Sequence, residues 1–220
     1  PILSIRGTRG KVLGISSGVI AQAALVTVVL FQSWPLSRAI AAIVAVPFLG
    51  WFAEFVGSRT GIPFGSYHYT DRLRPQFMHV PIVIPMAWLM MLPPSWAIAQ
   101  LLLPDGALWQ HAIVAGLAFT AWDVYLDPQM AKWEFWSWNQ PGAYLGIPII
   151  NFAGWFMWGA AITLLLQPPA LMIGPLVVVY GITWLLMFGG HLVFWKMPVS
   201  AFSGFMAMGA FAVLAVRVIL

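Results

Sequence analysis

A chain of 220 residues that is 61% hydrophobic and 7% charged, with a mean hydropathy of +0.89, is far from the roughly 25% charged residues of a soluble domain. It cannot cover a compact fold with polar surface, which excludes an ordinary soluble protein and predicts an integral membrane one. Cysteine is absent, excluding disulfides and thiolate chemistry, and the net charge of +4 reflects ten basic residues against six acidic ones, the basic residues sitting at helix ends, a pattern of membrane topology rather than of nucleic-acid binding.

The chain opens on Pro1 rather than Met, which predicts a processed or trimmed start. Arg6, Arg9 and Lys11 lead into an apolar run too long for the core of a signal peptide. A membrane-spanning helix needs about 20 apolar residues. Seven stretches qualify, near 12–31, 39–57, 79–103, 107–126, 148–166, 170–191 and 199–219. The expected fold is therefore an all-α polytopic bundle, one membrane domain over 1–220. Short gaps make consecutive helices antiparallel neighbours. The third stretch carries Pro81, Pro85, Pro93 and Pro94, which predicts a kink or a break. The longer connections, 58–78 and 127–147, are rich in Gly, Pro and aromatics and read as re-entrant or interfacial segments.

With the N-terminus in the cytoplasm, Arg6, Arg9, Lys11, Arg59, Arg72, Arg74, Lys132 and Lys196 face that side, and only Arg38 and Arg217 face the other. That bias predicts cytoplasmic placement of both long loops. It also gathers Glu54, His79, Asp123, Asp127, Asn151 and His191 into one layer near the cytoplasmic face. Segment Trp122–Asn151 is the densest part, with two aspartates, a glutamate, a lysine and four tryptophans. Ionisable groups at membrane helix ends are costly unless something uses them.

An internal repeat is suggested by Pro81…Trp88 and Pro148…Trp155, each preceded by an acidic helix end and an aromatic loop. Its copies would span 39–103 and 107–166, with a site at their interface.

Asp123 and Asp127 are four apart and share a helix face. Pro128 disfavours helical geometry at Asp127, so the second carboxyl is expected just past the helix end, where it could cap a following turn. Glu54 has apolar neighbours; the plainer reading pairs it with Arg59, the functional one makes it a general acid. His68, His79, His111 and His191 are isolated, without the spacing of a metal site. His79 and His191 are candidates for proton transfer, His111 for a structural role. Trp133, Trp136 and Trp138 fit an aromatic belt or a surface that stabilises a cation.

Glu54, the run Thr60-Gly-Ile-Pro-Phe-Gly-Ser-Tyr-His-Tyr69, and Val80-Pro81 with Trp88 resemble the first signature of the CruF-type carotenoid biosynthesis family. Asp123, Leu126-Asp-Pro128, Trp136-Ser-Trp138, Gly142-Ala-Tyr-Leu-Gly-Ile-Pro148, Asn151 and Gly154-Trp155 resemble the second. The similarity covers roughly residues 50–160, and departs from the family at His79, where glycine is expected. The resemblance implies a carotenoid 1,2-hydratase of the bisanhydrobacterioruberin or γ-carotene 1'-hydratase type, acting on a terminal ψ end group of a substrate such as lycopene. It implies no metal, flavin or nicotinamide.

Such a reaction needs a protonated acid in an apolar pocket, a group to position water, and aromatic faces for a tertiary cation. Asp123 or Glu54 is the expected acid, with Asp127 and Asn151 orienting water. Tyr67, Tyr69, Trp136, Trp138, Tyr144 and Trp155 are expected to line the end-group pocket. The expected partners are a carotenoid substrate and membrane lipid, and association with other carotenoid enzymes or a pigment–protein complex; nucleic acid is not expected. The rival readings are an end-group cyclase, a non-catalytic pigment-binding subunit and a proton-coupled transporter. A retinal receptor is excluded because the last helix lacks a lysine.

Overall fold

A computed structural model describes residues 7–219; Arg6, of the basic N-terminal cluster, lies outside them. Among the described residues seven α-helices form the bundle: α1 (Gly7–Ser33), α2 (Leu36–Thr60), α3 (Val83–Leu102), α4 (Leu108–Lys132), α5 (Ile149–Leu166), α6 (Ile173–Gly189) and α7 (Pro198–Ile219). Five of them (α1, α2, α5, α6 with the turn that extends it, and α7) are long and apolar enough to cross a membrane, which marks a membrane protein.

Helix α3 is the axis. Every residue from Ile84 to Ala99 except Met86 is buried, and α1, α2, α4, α6 and α7 all pack on it. Helix α4 lies beside it, and α5 packs along α4. Polar ties fix the helices across the core: Trp96 Nε1 donates to Thr163 Oγ1 at 2.7 Å and the Tyr180 hydroxyl to the Ala118 carbonyl at 3.0 Å. In an apolar interior such bonds leave few buried donors unpaired.

The prolines act differently from expectation. Helix α3 runs unbroken from Val83 to Leu102 through Pro93 and Pro94. Pro85 falls in its first turn, where a backbone N–H would have no helical acceptor, and Pro81 precedes the helix in a strand. Helix α4 does not stop before Pro128 but continues to Lys132, so Asp127 is inside the helix and caps nothing. Pro128 has no N–H to offer the Val124 carbonyl four residues back. The Tyr144 hydroxyl donates to that carbonyl instead, at 3.1 Å, satisfying the group the proline orphans. Helix α6 passes into a π-helical turn, Gly190–Phe194, beyond the expected end at 191.

The two long connections are tied to each other rather than simply lying on the bundle. Strand β1 (Tyr67–Tyr69) from the first pairs antiparallel with β4 (Trp136–Trp138) from the second, Tyr67 opposite Trp138 and Tyr69 opposite Trp136. The first connection also folds on itself, β2 (Gln76–Phe77) pairing with β3 (Val80–Pro81).

Candidate active site

Strand alternation builds one wall. Tyr67, Tyr69, Trp136 and Trp138 face the helices, while His68 and Ser137 face outward, His68 Nδ1 lying 3.1 Å from Asn139 Oδ1. The inward rings pack edge to face, Tyr67 to Tyr69 at 5.5 Å and Tyr69 to Trp136 at 5.6 Å. On the helix side, Trp155 of α5 stacks on Trp88 of α3 at 5.0 Å between ring centres.

Glu54, near the end of α2, is 4% exposed and enters this wall from beneath. Its Oε2 accepts from the Tyr69 hydroxyl at 2.8 Å and from the Tyr67 hydroxyl. Burial first, and then the Glu54 charge, push both phenols well above the usual tyrosine range, so they stay protonated as donors. The expected alternative pairing with Arg59 is absent. Arg59 instead donates to the Phe55 and Met78 carbonyls and lies over the Phe55 ring at 3.8 Å.

Asp123 and Asp127, one turn apart on α4, both meet Asn151 in the first turn of α5. The Asn151 amide donates to Asp123 Oδ2 at 2.8 Å and to Asp127 Oδ2. Asp127 Oδ1 accepts from Trp136 Nε1 at 3.0 Å, which ties the carboxyl to β4. All three side chains are buried, and Asp123 Oδ1 is without a partner among the described residues.

Between Glu54 and Asp127 lies a cavity of about 20 Å³, enough for one water. Tyr67, Tyr69, Trp136, Trp138, Asn151 and Trp155 line it, with Ile84, Ala87 and Leu126 as its apolar part. Asp123 is not in the lining; it sits behind Asp127. Among the described residues no three His, Asp or Glu side chains converge to hold a metal ion.

Three expected site residues lie elsewhere. His79 is exposed at the tip of the β2–β3 hairpin, not at the start of α3. Met78 and His79 form the two-residue turn with φ of 51° and 70°, a left-handed geometry that suits glycine, which explains the glycine expected at 79. His191 is buried in the π-helical turn, its ring nitrogens 2.8 Å from the Met187 carbonyl and 3.1 Å from that of Tyr125. It therefore braces α6 against α4 and does not line the cavity. Tyr144 is committed to the Val124 carbonyl and is likewise outside the lining.

Sequence reasoning named Trp88 in the first signature but gave it no place in the site; it is fully buried, its indole N–H close to Glu54 and without a hydrogen-bond partner among the described residues. Its place in the Pro81…Trp88 repeat, matched to Trp155, was the available signal. Leu126 was hidden by its plain apolar character.

A family described as carotenoid biosynthesis protein matches residues 14–170. Over 131 residues the chain is 31% identical to a bisanhydrobacterioruberin hydratase of Haloarcula japonica, a stretch covering 58% of this chain and 44% of that protein. The chain thus spans less than half the length of the curated relative it matches. No solved structure matches it. The family match takes in Glu54, both aspartates, Asn151 and the whole aromatic wall, and the chain belongs to the carotenoid biosynthesis protein family.

Proposed function

We propose that this chain is a carotenoid 1,2-hydratase, adding water to the terminal C1=C2 bond of an acyclic ψ end group. The observation that carries this reading is a one-water cavity, walled by aromatic rings, with a carboxyl system on each side. A cofactor is not required for the chemistry.

Two buried carboxyls joined by one amide cannot both be charged at low cost, so Asp123 and Asp127 share one proton. Glu54, held by two phenol donors, is the carboxylate. The pair is therefore the acid and Glu54 the base. Asp127 lines the cavity and Asp123 does not, so the proton leaves through Asp127, with Asp123 behind it as reservoir. The C1=C2 π electrons take that proton to form the C2–H bond, leaving a tertiary cation at C1. The tryptophan and tyrosine faces favour that cation. The water oxygen bonds to C1, its proton passes to Glu54, and the next water to enter returns that proton to the aspartate pair. The net change is one water added, with no redox step.

On this reading α3 and α4 cross the membrane with the other five, the N-terminus and both connections face the cytoplasm, and the substrate reaches the site from the lipid. We further propose a single domain with two related halves, supported by the antiparallel β1–β4 pairing and the stacking of Trp88 on Trp155. Association with other carotenoid enzymes or a pigment–protein complex is compatible with this arrangement.

The test is expression in cells that accumulate lycopene or γ-carotene. A product heavier by one water is expected, and Asp127→Asn and Asp123→Asn should each suppress it. An isomer of unchanged mass would make the protein a cyclase. Co-purifying pigment with no product would make it a binding subunit.

A further inference from the structure

The cavity between Glu54 and Asp127 takes a water but not the long chain of a substrate. A second, larger cavity of about 430 Å³ lies beside it, between α1, α3, α4 and α6. Leu126 lines both and forms the partition between them. Helices α1 and α6 each pack on α3 but touch one another little, which leaves the gap.

We propose that this larger cavity holds the conjugated chain of the isoprenoid substrate and delivers its tip past Leu126 to the carboxyls. The inference rests on the hydratase reading. Three observations favour a polyene over a saturated lipid tail. First, the lining is polarisable: indoles of Trp122, Trp133 and Trp195 and the thioethers of Met90, Met130 and Met187. Such groups interact with a π-system more favourably than with a saturated chain.

Second, Gln129 is 3% exposed and its side chain lines this cavity. Gln22, whose Oε1 accepts from Thr183 Oγ1 at 2.8 Å, also lines it. An amide beside an apolar space is better matched by a π-electron face than by saturated CH₂ groups. Third, a Cβ added at Gly18 of α1 would meet nothing within 4 Å. Helix packing therefore does not require glycine there; glycine keeps the cavity open.

The chain has no cysteine, so Gly18→Cys would place a single thiol in the cavity wall. The full chain carrying this change, in phosphatidylcholine nanodiscs, is treated with N-ethylmaleimide with and without lycopene. Lycopene is expected to slow alkylation roughly tenfold or more. A control thiol, Leu25→Cys on the outward face of α1, should not be protected. In parallel, Gly18→Phe should weaken lycopene binding, read by tryptophan quenching, by a similar factor. Equal alkylation rates with and without lycopene would overturn the assignment, as would protection by a saturated fatty acid equal to that by lycopene. Hydration without protection of Gly18→Cys leaves the hydratase reading standing and removes this one. Protection without hydration does the reverse.

Discussion

Asn151→Leu is the most informative single change. Leucine branches at Cγ as asparagine does, with bulkier methyl groups in place of the amide atoms, so the shape of the side chain in the first turn of α5 is kept while both amide bonds are removed. In the parent one bond goes to each aspartate. With one carboxyl neutral and one charged, the two are worth about 1 and about 2 kcal/mol, so the loss is about 3 kcal/mol. The carboxyls, no longer bridged, also lose the geometry that lets them share a proton. Hydration should fall on the order of 100-fold, the lower range for general acid catalysis. Thermal unfolding in detergent reads the first effect and product formation the second. The decisive comparison is the double variant with Asp123→Asn. Residues acting as a unit are strongly non-additive, so the second change should cost little once the first is made. Full additivity of the two losses would refute the shared-proton arrangement, as would an Asn151→Leu protein as stable and active as its parent.

Tyr67 and Tyr69 have phenols held well above the usual tyrosine value. The folded state therefore binds their protons more tightly than the unfolded chain. That stability is fully present below about pH 10 and is lost as pH rises from there through the folded-state values. Thermal melts across alkaline pH should show this fall, and the Tyr67→Phe, Tyr69→Phe double variant should flatten it. Tyr144→Phe should cost about 1 kcal/mol by freeing the Val124 carbonyl, yet leave the affinity for lycopene unchanged. A weaker KM would return Tyr144 to the substrate pocket. Gly50→Ala would put a methyl 2.6 Å from Trp88 Cγ. It should destabilise by about 1–3 kcal/mol and alter tryptophan emission as Trp88 shifts against Trp155; unchanged melting and emission would sink that argument.

The acids and the aromatic wall were legible because the chain spends so little charge. In a sequence 7% charged, Glu54, Asp123 and Asp127 stand out, and Asn151 stands out beside them. The aromatic residues of the wall were legible from their density, and strand pairing then sorted Tyr67, Tyr69, Trp136 and Trp138 onto one side. What local pattern could not supply was compensation from a distance. Pro128 reads as a helix stop until a tyrosine sixteen residues further on takes the place of the missing donor. The prolines of α3 read as a break because their effect on an isolated helix is large, yet this helix is enclosed by five others. His79 and His191 were misplaced for a related reason: an isolated histidine gives chemistry but no address. Leu126 stood in the second signature without a role, since its interest lies in which two spaces it separates.

The pairing of β1 with β4 bears on how the molecule is made. Glu54, Tyr67, Tyr69, Ile84 and Ala87 all precede the α3–α4 connection, whereas Leu126, Asp127, Trp136, Trp138, Asn151 and Trp155 all follow it. Neither portion encloses this cavity by itself. During synthesis the early carboxylate and its phenols must wait, unclosed, until the later strand emerges and registers against them. The ribosome therefore releases a chain whose aromatic-walled cavity closes only after the later portion has emerged, and a product truncated before α4 lacks that cavity's second wall.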